Sequence, residues 1–233
     1  MVSSVVRDRM RQMLEDRLAD EVKLVLFSQK ELPIYIPGRE CPQCPAARKV
    51  LEELVGLSPK LQLEFHDAYS EGDLARERGV ERIPTIEIQG RNKGRMRFLG
   101  APAGHELSAL LDAIADASSG STGIHEDTRR WLGELSSPLH IRVFSTPTCP
   151  YCPQMARLAW QLAVESPQVT AEVVDATAFP DLAQRYMVYG VPKTIINDQL
   201  SLEGAVAEAD LVAQLRALLT PPPEGHEESS EQE

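Results

Sequence analysis

All four cysteines of the chain lie in two pairs, Cys41-Pro42-Gln43-Cys44 and Cys149-Pro150-Tyr151-Cys152, and each pair is followed at once by a proline, Pro45 or Pro153. Cysteines spaced i and i+3 fall on one face of a first helical turn, close enough to bridge into a small ring. Pro42 and Pro150 suit the first helical position, where a missing N–H costs nothing and φ is already set. On that reading Cys41 and Cys149 are the cap residues at the positive end of a helix, which favours their thiolates and makes them the attacking groups. Cys44 and Cys152 then resolve the mixed disulfide that the attack creates.

Two other uses of the cysteines compete with this one. Paired knuckles bind zinc, but such knuckles rely on backbone N–H groups just past the second cysteine, and Pro45 and Pro153 have none. The 108-residue separation of the pairs also exceeds the roughly 15 to 20 residues of a zinc ribbon. Inert structural bridges fit poorly with a reducing compartment. Redox-active dithiols are the expectation, with no metal ligands. The scattered histidines His66, His105, His125 and His140 have no repeated partner and offer no Cys–His nucleophile.

The two pairs belong to a longer internal repeat. A shift of 108 carries Cys41, Cys44 and Pro45 onto Cys149, Cys152 and Pro153, Asp67 onto Asp175, Asp73-Leu74-Ala75 onto Asp181-Leu182-Ala183, and Pro84 onto Pro192, without a gap. Two copies of one unit follow. In each, an apolar β-branched run (22–27, 139–144) predicts a buried strand ahead of the cysteines, and a helix follows them. An alternating strand (61–67, 169–175), a short helix, a hairpin and a closing amphipathic helix complete the order. "SSGSTG" at 118–123 marks the boundary.

Composition narrows the setting. The chain has 233 residues, 42% apolar and 25% charged, a globular balance. Of the net charge of −11, five units come from glutamates in residues 221–233, read as an acidic disordered tail. The remainder carries no clustered positive charge of the kind that binds nucleic acid or anionic membranes. The N-terminal segment is charged from Arg7 onward without an apolar signal core, and no apolar run approaches a membrane span. A cytoplasmic protein is expected.

Cys-Pro-Tyr-Cys followed, forty residues after its second cysteine, by Val191-Pro192 resembles the thioredoxin superfamily, glutaredoxins in particular. Composition alone would make Pro84 and Pro192 trans; the resemblance implies that both are cis and lie against the dithiols, with Ile83 and Val191 presenting backbone groups to a client. "RFLGAPAGHELSALLDAI" together with "VFSTPTCPYCPQMARLA" resembles the tandem protein disulfide oxidoreductases, or glutaredoxin-like proteins, of thermophiles. That resemblance implies an α/β chain of two tandem thioredoxin-like folds, each a central mixed β-sheet flanked by helices. The units would be 1–120 (with an inserted loop, 28–40) and 121–220. It implies a thiol-disulfide oxidoreductase acting on client protein disulfides, with no bound cofactor, recharged by a thioredoxin-reductase-like flavoprotein that uses NADPH. An electron carrier to a peroxidase, like the amino-terminal part of alkyl hydroperoxide reductase flavoproteins, is the alternative; a metal-binding or docking module is another. Glutaredoxin and thioredoxin potentials differ by only about 50 mV, or about 2.3 kcal/mol, too little to fix the direction of exchange.

The chain departs from a plain repeat in three places. Phe144 precedes Cys149 by five residues but Phe27 precedes Cys41 by fourteen, so the first copy carries nine extra residues, in which Tyr35 and Ile36 would pack the loop or form a client-facing lip. Glu40 stands beside Cys41 where Thr148 stands beside Cys149, and its charge should oppose a thiolate at Cys41. Val143 occupies the strand position where thioredoxins bury an aspartate, which leaves proton transfer to water or the client thiol. Lys49 and Arg157 match across the repeat and are expected on a solvated helix face.

Overall fold

The computed structural model describes residues 4–30 and 37–219. Tyr35, Ile36 and the tail from 221 lie outside the described residues. The first copy is preceded by a helix, α1 (Ser4–Arg17), and runs β1 (Val22–Ser28), α2 (Cys44–Val55), β2 (Leu61–Asp67), α3 (Gly72–Glu77), β3 (Thr85–Gln89), β4 (Arg95–Leu99) and α4 (Gly104–Ser119). The second repeats the order: α5 (Glu126–Glu134), β5 (Leu139–Ser145), α6 (Cys152–Glu165), β6 (Val169–Asp175), α7 (Pro180–Arg185), β7 (Lys193–Ile196), β8 (Leu200–Glu203) and α8 (Glu208–Leu219). Helices α1 and α5 go beyond the elements expected from periodicity. Gly120, at φ 69°, ends α4 in the left-handed conformation that a helix C-terminus favours.

Both copies are α/β thioredoxin folds, and their sheets are continuous. The strand order is β2-β1-β3-β4-β6-β5-β7-β8, with β4 of the first copy parallel to β6 of the second. Within each copy the central strand pairs parallel with one neighbour and antiparallel with the other (β1 with β2 and β3, β5 with β6 and β7). The seam explains why equivalent strands differ in burial. β2 forms one edge of the sheet and is mostly half-buried; β6, its repeat partner, lies between β4 and β5 and is almost wholly buried.

One apolar core spans the seam. Leu24, Leu26, Ile86 and Phe98 of the first copy pack in the same cluster as Ile141, Trp160 and Val173 of the second. Helix α4 lies against α6, and the buried Trp160 Nε1–H donates to the Arg97 carbonyl oxygen at 3.1 Å. The β3–β4 turn docks onto the end of α6: Gly94 N–H donates to Ala163 O at 2.7 Å, and a Cβ at Gly94 would stand 2.3 Å from the Ser166 and Val169 carbonyl oxygens. Only glycine permits that approach.

A row of alternating charge crosses the seam on one face. Register places Glu87 opposite Arg97, Arg97 opposite Glu172, and Glu172 opposite Arg142. The ion pairs close at 2.7, 3.2 and 3.0 Å, and His140 Nε2 lies 2.9 Å from Glu172 Oε2. Burial by itself would raise the Glu172 carboxyl; the His140 hydrogen bond and the charges of Arg142 and Arg97 hold it at about 2 instead.

Candidate active sites

Each cysteine pair sits between the end of a central strand and the start of the following helix, bridged as a disulfide, Cys41–Cys44 or Cys149–Cys152. The α-helices begin at Cys44 and Cys152, with Gln43 and Tyr151 at the cap and Pro45 and Pro153 in the first turn. This corrects the expectation that Pro42 and Pro150 open the helix. The intervening prolines instead shape the turn before it, and the prolines after the pairs take the positions where no N–H is required. The electrostatic consequence survives: Cys152 N–H, at the helix start, donates to Cys149 Sγ at 3.1 Å. A sulfur held there by an N–H at a positive helix end is favoured as a thiolate. In the first site the Cys44 N–H donates to the Cys41 carbonyl oxygen at 3.2 Å. Cys149 is 7% exposed and Cys152 1%, so the outer cysteine is the one a client sulfur reaches.

The Ile83–Pro84 and Val191–Pro192 bonds are both cis, so the trans geometry expected from composition is overturned and the resemblance is right. Composition could not tell, because tertiary packing selects the isomer. The bend brings the Val191 carbonyl oxygen to 3.7 Å from Cys149 Sγ. The Val191 N–H has no intramolecular partner among the described residues.

A buried carboxyl, absent at Val143, does lie at the end of β5, brought there by another element. Glu106, near the start of α4, is buried, and its Oε1 accepts from Ser145 Oγ at 2.5 Å; its Oε2 has no partner among the described residues. Burial pushes this carboxyl up to about 7, with the Asp175 charge adding and the Ser145 hydrogen bond opposing. The elements meet tightly behind the second site: His105 N–H donates to Pro147 O at 2.9 Å, and Gly104, at φ 52°, leaves only 2.3 Å between its notional Cβ and that oxygen. The matching bonds Gly100 N–H to Pro84 O and Gly204 N–H to Pro192 O set the copies 104 residues apart beyond the shorter second hairpin, so Glu106 corresponds to Asp210, which is exposed; the ungapped block, ending at Ile88 and Ile196, stopped short of both.

Other residues singled out in the sequence fall elsewhere. Asp67 and Asp175 turn the chain after β2 and β6, accepting the Tyr69 and Thr177 N–H groups at 3.0 and 2.9 Å. Lys49 and Arg157 are exposed, and Arg157 lies 3.9 Å from Asp112 and 3.8 Å from Asp116 on α4. His66 stacks on Phe27 and bridges Glu64 and Glu71. Among the described residues no group of three or more His, Cys, Asp or Glu is placed to hold a metal, and no helix is long and apolar enough to cross a membrane.

Comparison with known proteins agrees with this arrangement. The chain is 24% identical over 170 residues to the AhpF component of alkyl hydroperoxide reductase of Staphylococcus aureus, a match covering 72% of this chain and 31% of that protein. The chain therefore spans about a third of the length of the curated relatives it matches. Among solved structures, a protein disulfide oxidoreductase from Aeropyrum pernix superposes with TM-score 0.82 at 29% identity, over 93% of each chain. The alkylhydroperoxide reductase component AhpF of Enterococcus faecalis superposes with TM-score 0.80 at 22% identity, over 92% of this chain and 99% of that one. The family model for the thioredoxin domain matches twice, at residues 32–112 and 139–218. Matched in both copies and over most of its length, the chain belongs to the thioredoxin-domain family.

Proposed function

We propose that the protein is a thiol-disulfide oxidoreductase with two dithiol centres, which reduces, forms or isomerises disulfides in client proteins. The observation that carries the reading is the second site: a Cys149–Cys152 bridge at a helix start, with the outer sulfur hydrogen-bonded by the helix N–H and facing a cis-proline loop. In the reducing direction the Cys149 thiolate attacks a client disulfide, forming a mixed disulfide and releasing one client thiolate. The Cys152 thiolate then attacks Cys149 Sγ, the second client thiolate leaves, and two electrons have passed to the client. Glu106, titrating near neutral pH, exchanges the proton of this step, and both client thiolates end protonated. Pro150, Tyr151, Val191 and Pro192 shape the second site; Cys41, Cys44, Pro42, Gln43, Ile83 and Pro84 form its counterpart.

Division into units 1–120 and 121–220 follows the repeat, and a cytoplasmic setting suits freely cycling dithiols. Recharging requires two electrons per turnover, which we assign to a thioredoxin-reductase-like flavoprotein drawing on NADPH. The likeness to the AhpF component of alkyl hydroperoxide reductases supports a second reading, in which the same dithiols carry electrons to a peroxidase. Differential alkylation with mass spectrometry across graded redox buffers tests the main reading. Each pair is expected to titrate as an internal disulfide, with midpoints between about −180 and −300 mV. Pairs that stay reduced throughout, in protein purified with near-stoichiometric zinc, would favour a binding module instead.

A further inference from the structure

Among the described residues four large apolar side chains stand exposed, and three of them belong to the second copy's cysteine motif or to the loop that leads to its cis-proline: Tyr189 (94% exposed), Tyr151 (67%) and Met187 (61%). The segment carrying two of them is held firmly. Met187 N–H donates to Gln184 O at 3.0 Å, Val188 N–H to Ala183 O at 2.8 Å, and Lys193 Nζ to Met187 O at 3.0 Å. Met187 sits at φ 51°, just past the end of α7, where glycine is the usual residue; the first copy has Gly79 there, at φ 66°. The left-handed conformation disfavours methionine relative to glycine, and with Met187 61% exposed, packing within the chain does little to offset that.

The repeat makes the contrast direct. Residues 186–192 read Tyr-Met-Val-Tyr-Gly-Val-Pro without a charge, and the equivalent 78–84 read Arg-Gly-Val-Glu-Arg-Ile-Pro with three. Tyr151 likewise corresponds to Gln43, and Arg82 is engaged with Asp181 at 2.6 Å. The backbone offered to a client is alike in the two loops, both bent by a cis-proline; the side chains around it are not.

Resting on the oxidoreductase reading above, we infer that the two dithiols select different clients. The Cys149 site takes an extended client segment with an aromatic or long aliphatic side chain beside its cysteine, which lies on Tyr189, Met187 and Tyr151. The unpartnered Val191 N–H favours an extended segment, since a strand laid along the loop supplies the missing acceptor. Among the described residues, the positions of the first copy that match Tyr189 and Tyr151 hold Glu81 and Gln43, and the loop 78–84 has no exposed large apolar side chain.

The test uses two full-length chains, one carrying Cys41→Ser and Cys44→Ser, the other Cys149→Ser and Cys152→Ser. Each is reduced and mixed with short peptides whose single cysteine is joined by a disulfide to a chromophoric aryl thiol. One peptide has phenylalanine on both sides of the cysteine, the other serine. Attack forms a disulfide between the outer protein cysteine and the peptide cysteine and releases the aryl thiolate, whose colour gives the second-order rate. The Cys149 chain should prefer the phenylalanine peptide by about tenfold, and the Cys41 chain should show a ratio near one. Tyr189→Glu with Met187→Gly should collapse the first ratio, and Glu81→Tyr should raise the second. Equal ratios in the two chains, or a ratio indifferent to Tyr189→Glu, would overturn the inference while leaving the oxidoreductase reading in place. Failure of both chains to release aryl thiolate faster than free cysteine would overturn both.

Discussion

Replacing Glu172 by glutamine should destabilise the protein far more than the same change at Glu64, its partner in the repeat. Both are glutamates at the same position of the same strand, and only the seam distinguishes them. Glu64 lies on the edge strand, hydrogen-bonded by Lys23 and His66 in partial contact with solvent; Glu172 is buried between Arg97 and Arg142. The Glu172 carboxyl is held at about 2 against an ordinary 4.5, which makes the ionised form worth about 3 kcal/mol to the folded state. Because the folded value is depressed, that contribution is complete above about pH 5 and disappears as pH falls from 4.5 towards 2. Glu172→Gln leaves two half-buried or buried guanidinium groups short of a counter-charge and should cost about 3 to 5 kcal/mol at pH 7. Glu64→Gln should cost under about 1 kcal/mol. Urea unfolding of the oxidised protein at pH 7, repeated downward to pH 3, measures both the loss and its pH slope. A Glu172→Gln cost below about 1 kcal/mol, or an acid limb as steep in the variant as in the parent, would refute the view that the charge row holds the seam.

Glu106 should act on stability in the opposite sense. Its folded value is raised from 4.5 to about 7, so its contribution is greatest below pH 4.5 and is lost as pH rises from there through about 7; Glu106→Gln should remove that decline, gaining up to about 3 kcal/mol above pH 7 in urea unfolding. Unchanged pH dependence would show that the carboxyl is not buried as described. In fully reduced protein near neutral pH, iodoacetamide should modify Cys149 several-fold faster than Cys41, because a helix N–H meets the Cys149 sulfur and Glu40 adjoins Cys41; faster modification of Cys41 would reverse that ranking. Gly94→Ala should cost at least about 2 kcal/mol by thermal unfolding, since its Cβ would meet two carbonyl oxygens. The same change at Gly72, which has open space around it, should cost under about 0.5 kcal/mol.

Much of the fold was legible because its signals are local. The β-branched run before each cysteine pair, the alternation in 61–67 and 169–175, and the ungapped shift of 108 each reflect one strand or helix and its own faces. The cis-prolines were legible only through resemblance, since the isomer depends on what packs around the bend. Helix α1 was masked by charge: Met10, Met13 and Leu14 recur at helical spacing among arginines and acids that dominate the segment. The β4–β6 pairing left no local trace, because a strand reads the same whether it will be an edge or a seam. Glu64 and Glu172 make the point, being one residue type at one repeat position with two fates.

The same reasoning separates the two sites. Duplication copies the cysteines, the following prolines and the cis-proline loop, but it cannot copy neighbours. The strand that leads to the second site meets the first copy's closing helix and its buried carboxyl, while α1, ahead of the first copy, carries the acids Asp8, Glu15 and Asp16, all exposed. The client-facing loops have diverged as well, one apolar and exposed, the other charged and partly engaged with α7 through Arg82 and Asp181. Chemistry common to both sites therefore follows from the repeat, and differences between them follow from the order in which the copies are joined. If so, moving Glu106 out of reach should alter the pH profile of exchange at Cys149 and leave that at Cys41 unmoved. An equal effect of Glu106→Ala on both profiles would mean that the carboxyl acts on the whole fold rather than on one dithiol.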